Sequence, residues 1–148
     1  MIEYGIKFES ASDDLSPAPI DASWILEGAP IARRKLMSGS SDGMANTYIW
    51  DCTAGQFNWK YSCDETACVL DGSVVVKDER GLPHTLRAGD TMFFPAGSNA
   101  HWTVEKYVRK VAIMRNPISR PAALMFRIYF KLKRLIWRTG ANTGISAG

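Results

Sequence analysis

Between Met44 and Met114 the sequence consists of short segments with strand-like patterns, separated by turn residues at close intervals. The clearest segment is residues 56–61, where aromatic and polar residues alternate, so that an extended chain has one apolar face. About eight such segments fit into roughly seventy residues, with no helical periodicity between them. A βαβ architecture needs helices between its strands and is therefore excluded. The pattern predicts an all-β sandwich or barrel.

Turn residues set the boundaries of the predicted strands. Asp71-Gly72 separates residues 66–70 from residues 73–77 and predicts a hairpin, because glycine tolerates the positive φ that such a turn requires. Thr53-Ala54-Gly55 predicts, in the same way, the end of a strand over residues 47–52. We therefore expect separate strands on the two sides of each turn.

Charge divides the chain into two parts. The first 114 residues hold 15 acidic and 11 basic residues, whereas the remaining 34 hold seven basic residues and no acidic one. Residues 121–138 contain no turn residue and predict a helix, with proline at its first position and Gly140 just beyond its end. We predict an N-terminal arm over residues 1–19, a barrel over residues 20–116, and a basic helix with a flexible tail over residues 117–148.

The predicted helix is amphipathic. On a helical wheel its basic residues Arg127, Lys131, Arg134 and Arg138 fall within one narrow arc, and apolar side chains fill most of the rest. Such a helix has to cover the barrel, pair with another subunit or lie on a membrane surface. Packing on the barrel or within a homodimer is our first expectation, and peripheral membrane contact through residues 121–138 is the alternative. Nucleic acid is not an expected partner, since the barrel supplies no second contact surface.

Cysteine usage and the first residues of the chain predict a cytoplasmic location. Cys52, Cys63 and Cys68 form no close Cys-x-x-Cys pair, and an odd count leaves at least one free thiol. Residues 1–21 contain no apolar run that would serve as a secretory signal. We therefore expect reduced thiols and no membrane-spanning segment.

Two groups of residues resemble a known family. Glu65 and Gly72, with six residues between them, are similar to the second half of the first cupin motif, and Gly89, Pro95 and Gly97 are similar to the start of the second. The wider match runs through residues 50–55, 57, 59, 61, 64–66, 89–90, 94–97, 102 and 108–110. The chain thus resembles the small single-domain cupins of type 3, which are related to the ureidoglycine aminohydrolase cupin domain. The resemblance implies a cupin jelly-roll barrel over roughly residues 20–116.

The expected metal ligands of this family are missing. Metal-binding cupins place two histidines before the motif-1 glutamate and one histidine three residues after the motif-2 glycine. The matching positions here are Trp59, Tyr61 and Ala100, whose side chains do not supply the donors that hold a transition metal. His101 does not replace them, because the period of two turns it to the face opposite Ala100. We therefore predict no bound metal and no other cofactor.

The resemblance places Glu65 in the mouth of the barrel, as a lone carboxylate walled by aromatic rings. There it is the candidate catalytic residue, as a general acid or base, or an anchor for a ligand. Arg109 and Lys110 are expected to be solvated on the last strand. The predicted pocket residues share an inward position in the barrel and are Trp50, Trp59, Tyr61, Glu65, Met92, Phe94 and Trp102. The rings among them either fill the barrel as core or wall an apolar pocket with a few polar groups.

Three functions remain open on the sequence alone. The leading hypothesis is a protein that binds a small polar metabolite in an aromatic-lined pocket without a tightly bound metal. The second is a non-catalytic scaffold whose barrel is filled and which acts through its C-terminal helix. The third is a metal-dependent enzyme acting on small ureido or amino compounds. The sequence does not decide whether a bound metabolite is turned over.

Overall fold

The structure, a computed structural model, describes residues 6–11 and 14–140. Within these residues the chain forms eight strands and one C-terminal helix, with a short 3₁₀ turn at Ala22–Trp24. The elements in chain order are β1 (Ser16–Pro17), β2 (Ile25–Glu27), β3 (Ala32–Gly39), β4 (Ala45–Lys60), β5 (Asp64–Lys77), β6 (Pro83–Arg87), β7 (Thr91–Phe94), β8 (Asn99–Arg115) and α1 (Arg120–Gly140).

Strand β8 lies at the centre of the sheet. β4 pairs with one of its edges, with Ala45 opposite Arg115 at one end, and β5 pairs with the other edge, with Lys77 opposite His101 at the other end. The sheet order is β1-β3-β4-β8-β5-β6, while β2 pairs with β4 and β7 pairs with β5. All of these pairings are antiparallel, which confirms the predicted all-β architecture.

Both predicted turns are bulges inside long strands, so the expected strand ends are wrong. Thr53-Ala54-Gly55 lies within β4, whose register against β8 shifts between Thr53 and Gly55. Asp71-Gly72 lies within β5, whose register against β8 shifts on both sides of this pair. A bulge bends a strand and increases its twist. The bend lets one strand serve two neighbours, since residues 65–68 of β5 pair with β7 and residues 73–77 pair with β6.

Gly72 is the residue that permits the bulge in β5. Its φ is +72°, and a Cβ at this position would lie 2.1 Å from the carbonyl oxygen of Tyr107 on β8. The sequence therefore predicts the positive φ correctly and its structural context wrongly. Glycine is needed because the two backbones approach too closely for any side chain.

The N-terminal segment joins the sheet through β3. Ser16 and Pro17 pair with Arg34 and Arg33, and the backbone N–H of Ala18 donates to the carbonyl oxygen of Ala32 at 2.9 Å. Residues 16–18, which the sequence assigns to an arm, therefore form part of the edge of the sheet. The sequence pattern does not predict β3 itself.

The core lies on the inner face of β4, β5 and β8, where side chains alternate between inward and outward positions. Along β8 the buried positions are Ala100, Trp102, Val104, Val108, Lys110 and Ala112. Aromatic rings fill the space between the strands. Tyr61 stacks on Phe94 with centroids 4.4 Å apart, and Trp50 meets Trp102 edge-on at 6.0 Å. One of the inward positions of the central strand β8 is occupied by a lysine, Lys110.

A second unit begins at Ile118 and contains α1. The helix starts at Arg120, one residue before the predicted start, and Pro121 lies in its first turn, where its missing N–H costs nothing. Its presence confirms the predicted C-terminal helix. Among the described residues, no helix is long and apolar enough to cross a membrane.

Candidate functional site: an ion pair beneath an aromatic-walled cavity

A cavity of about 290 Å³ lies on the inner face of β3, β4 and β8. The rings of Tyr48, Trp50 and Trp59 form its walls, and residues 17–19 line it as well. The charged side chains that line it are Arg34, Glu65 and Lys110. This combination of apolar walls with a few charged groups is the usual composition of a small-molecule site.

Glu65 and Lys110 form a buried ion pair at this cavity. Lys110 Nζ donates to Glu65 Oε1 at 2.5 Å, and the two side chains are only 5% and 4% exposed. The ammonium group also lies over the rings of Trp50 and Trp102, at 5.0 and 4.6 Å from their centroids. These are cation–π distances, and they add to the stabilisation of a charge removed from water.

The ion pair corrects two expectations from the sequence. Lys110 is expected to be solvated, but the alternation along β8 turns it inward, beside Val108 and Ala112. Glu65 is expected to be a lone carboxylate walled by rings, but Lys110 pairs with it. An unpaired charge in this position would pay a large desolvation cost, so each member of the pair makes the burial of the other tolerable.

Arg34 approaches the same cavity from β3. It lies opposite Trp50 in the β3–β4 register, and Trp50 lies opposite Lys110 in the β4–β8 register. Its guanidinium carbon lies 5.4 Å from the centroid of the Tyr48 ring. Arg34 and Tyr48 are site residues that the sequence analysis missed. Arg34 was missed because β3 is not predicted from the sequence, whereas Tyr48 lies on β4, two residues before Trp50 and on the same face.

The structure brings together three of the seven predicted pocket residues, namely Trp50, Trp59 and Glu65. Tyr61, Phe94 and Trp102 belong instead to the core, where they are 4%, 3% and 2% exposed. Trp102 Nε1 donates to the Tyr61 hydroxyl at 3.1 Å. A barrel of this size is largely filled by its own side chains, and these three rings do the filling.

Met92, the remaining predicted pocket residue, packs against the core and lines a separate depression. Phe93 and Pro95 line that depression too, and neither lines the cavity at Glu65. On β7, Met92 pairs with Ala67 of β5. β7 pairs with the edge of β5 opposite to β8, so β5 lies between Met92 and the strand that carries Lys110.

The family of the chain follows from its match to a family model. The model of the EutQ-like cupin domain matches residues 39–112, which span β4, β5, β6, β7 and most of β8. The chain belongs to the EutQ-like cupin family. No curated protein matches the chain. The ureidoglycine aminohydrolase branch that the sequence suggests is not singled out by the match and stays a prediction.

Solved structures show the same fold. A protein of unknown function from Pseudomonas syringae is 27% identical with a TM-score of 0.63, over 68% of this chain and 43% of that chain. A putative ethanolamine utilization protein Q from Salmonella typhimurium is 21% identical with a TM-score of 0.53, over 72% and 98%. EutQ from Clostridium difficile is 19% identical with a TM-score of 0.52, over 59% and 64%. This EutQ-like cupin thus spans less than half of the Pseudomonas protein, and the similarity confirms the cupin jelly roll.

The residues of this EutQ-like cupin do not fit the metal ion that many cupins hold. Three of the four ligand positions that the resemblance assigns carry Trp59, Tyr61 and Ala100, and the fourth, Glu65, is engaged by the ammonium of Lys110. In the described part of the chain, no three histidine, cysteine, aspartate or glutamate side chains are grouped so as to bind a metal. A transition metal needs three or four nitrogen, oxygen or sulfur donors, so this donor set is insufficient.

The hydroxyl of Tyr61 is held in its neutral form. Burial raises the pKa of Tyr61 well above its usual value, and the nearby Glu65 carboxylate raises it further. A group whose pKa is higher in the folded state than in the unfolded state contributes to stability. This contribution is fully present at pH values below the unfolded pKa of about 10 and is lost as the pH rises above that value. Tyr61 therefore contributes most to stability at neutral pH.

We expect Tyr61→Phe to lower the free energy of unfolding at pH 7 by about 1–3 kcal/mol, because the buried Trp102 N–H loses its acceptor. Between pH 7 and pH 11 the variant should lose less stability than the wild type, so that the difference between them narrows. Urea unfolding at both pH values measures this. Tyr129→Phe, the same change at an exposed tyrosine of α1, should change stability at pH 7 by less than about 0.5 kcal/mol. A difference between wild type and Tyr61→Phe that stays constant with pH would contradict the expectation.

Proposed function

We propose that this chain binds a small polar metabolite in the cavity walled by Tyr48, Trp50 and Trp59, without a tightly bound metal ion. The observation that carries the proposal is the open cavity of about 290 Å³ with the Glu65–Lys110 pair on its lining. This volume is at the lower end of the range for ligand sites, which favours a small metabolite. The rings offer stacking surfaces, and the charged groups offer hydrogen bonds that orient the ligand.

The two alternatives have less support. A scaffold that acts only through α1 needs a filled barrel, whereas the core rings of this barrel leave a cavity beside them. A metal-dependent enzyme acting on ureido or amino compounds needs a donor set that the described residues do not supply. The description of the Salmonella structure refers to ethanolamine utilization. Amino alcohols are therefore among the compounds to be tested.

A thermal-shift screen tests the proposal. The panel contains small carboxylic acids, amines, amides, amino alcohols and ureido compounds. A ligand at about 100 times its Kd should raise the Tm of the wild type by about 5–10 °C, which corresponds to about 2.7 kcal/mol. Trp59→Ala removes one wall of the cavity and should reduce this shift to about 2 °C or less, whereas Trp137→Ala, at an exposed tryptophan of α1, should leave it unchanged.

Two results would contradict the proposal. One is a panel in which no compound raises the Tm of the wild type. The other is a ligand whose shift is equal in the wild type and in Trp59→Ala, since its site would then lie elsewhere. Comparing shifts rather than Tm values makes the test independent of any loss of stability that Trp59→Ala itself causes.

A further inference from the structure

Arg34, Trp50 and Lys110 form one row across three neighbouring strands. The register pairs Arg34 with Trp50 and Trp50 with Lys110, and all three side chains line the cavity. Adjacent strands are about 4.8 Å apart, so the Cα atoms of the two basic residues are about 10 Å apart with the tryptophan between them. Directly opposed residues project from the same face of a sheet. The row therefore places a cation on each side of an aromatic surface.

The charges on the cavity lining favour an anion. Arg34 and Lys110 are cations, and the one carboxylate of the lining, Glu65, already accepts from Lys110 Nζ. Among the residues that the structure describes, the lining thus carries one positive charge in excess. A ligand amine would meet Arg34 without a free carboxylate to pair with, whereas a ligand carboxylate would meet two cations.

Lys110 is held ready to donate to such a ligand. An ammonium group has three donors, and Glu65 accepts from one of them. The rings of Trp50 and Trp102 and the carboxylate of Glu65 fix the ammonium in place before a ligand arrives. Prepositioning reduces the ordering cost of binding, and removal from water strengthens a charged hydrogen bond. Glu65 is then a positioning residue for Lys110.

We propose that the ligand is a small monocarboxylate with an apolar body, bound with its carboxylate over Trp50 between Lys110 and Arg34. The apolar body lies against Tyr48 and Trp59. The ammonium of Lys110 supplies, next to Glu65, the positive charge for which a metal-binding cupin uses an ion. This inference rests on the function proposed above, because it names the class of ligand for the same cavity.

Isothermal titration with matched pairs of compounds tests the ligand class. Butyrate, benzoate and phenylacetate are compared with butyramide, benzamide and phenylacetamide, which keep the shape and remove the charge. We expect at least one carboxylate to bind about tenfold or more tightly than its amide. Arg34→Gln, at an exposed position, should weaken binding of that carboxylate about tenfold without changing the affinity of the amide. Arg87→Gln, at an exposed arginine of β6, should change neither affinity.

The double variant Glu65→Gln/Lys110→Gln removes the buried pair without leaving either charge alone. It should reduce the preference for carboxylate over amide, and the part of the preference that Arg34 supplies should remain. Equal affinity of the wild type for both members of every pair would overturn the ligand class and leave the proposed function standing. Stabilisation by amines or neutral compounds alone would overturn it in the same way. Failure of every compound in both the titration and the thermal-shift panel would overturn the proposed function as well.

Discussion

Lys110→Met is expected to lower the free energy of unfolding by about 3–5 kcal/mol, because it leaves the Glu65 carboxylate buried without a partner. The magnitude follows from burial, since the two side chains are 5% and 4% exposed. Urea unfolding at pH 7 measures the effect. Lys106→Met provides the matched control, because Lys106 is an exposed lysine on the same strand, and it should cost less than about 0.5 kcal/mol.

Removing the Glu65 charge as well should restore most of the free energy of unfolding that Lys110→Met loses. In Glu65→Gln/Lys110→Met neither charge remains, and the aliphatic chain of methionine still packs between the rings of Trp50 and Trp102. We expect the double variant to lie within about 1–2 kcal/mol of the wild type, since replacing both members of a buried pair is often nearly neutral. Equal costs for Lys110→Met and Lys106→Met, or a double variant as unstable as the single one, would show that the pair is not buried in solution.

Gly72→Ala is the second substitution with a large expected effect, at least about 3 kcal/mol. The left-handed conformation of Gly72 alone costs an alanine about 1–2 kcal/mol. The new Cβ would also lie 2.1 Å from the carbonyl oxygen and 2.8 Å from the carbonyl carbon of Tyr107. Both are backbone atoms and no side chain can rotate away, so β5 and β8 have to separate at the bulge.

Gly81→Ala is the control that measures the cost of the left-handed backbone conformation without the steric clash that is expected at Gly72. Gly81 has a φ of +77°, and a Cβ there would meet nothing within 4 Å. We expect this control to cost about 1–2 kcal/mol, the contribution of the backbone conformation alone. Urea unfolding of both variants, together with their soluble yields, measures the difference. Equal costs at the two glycines would contradict the close approach of β5 to β8.

The position of Lys110 could have been predicted from the sequence. Ala100, Trp102 and Val104 set an even-numbered apolar face, and Val108 and Ala112 continue it. Extending the alternation places Lys110 on that face, but the usual exposure of lysine favours the opposite conclusion. Its partner could not be predicted in the same way, because Glu65 is distant in sequence and meets it only through the pairing of β5 with β8.

The bulges and β3 mark where local patterns stop being informative. A hairpin turn and a bulge both favour glycine at positive φ, so Gly72 predicts the conformation but not which of the two it serves. β3 carries Arg33, Arg34 and Lys35 in a row, and this run of charge hides the alternation of an outer strand. Arg34 could therefore not be assigned to the cavity before the register of β3 was known.

The central place of β8 has a consequence for how the chain acquires its fold. β8 is the last of the described strands to be synthesised, yet it supplies the longest pairing edges of both β4 and β5. On the ribosome, these two strands emerge with one open edge each and wait for a partner up to seventy residues downstream, as Ala45 does for Arg115. Pairings so distant in sequence slow folding, and open edges invite association between nascent chains. The edges of β4 and β5 that pair with β8 therefore stay open until β8 itself has left the ribosome.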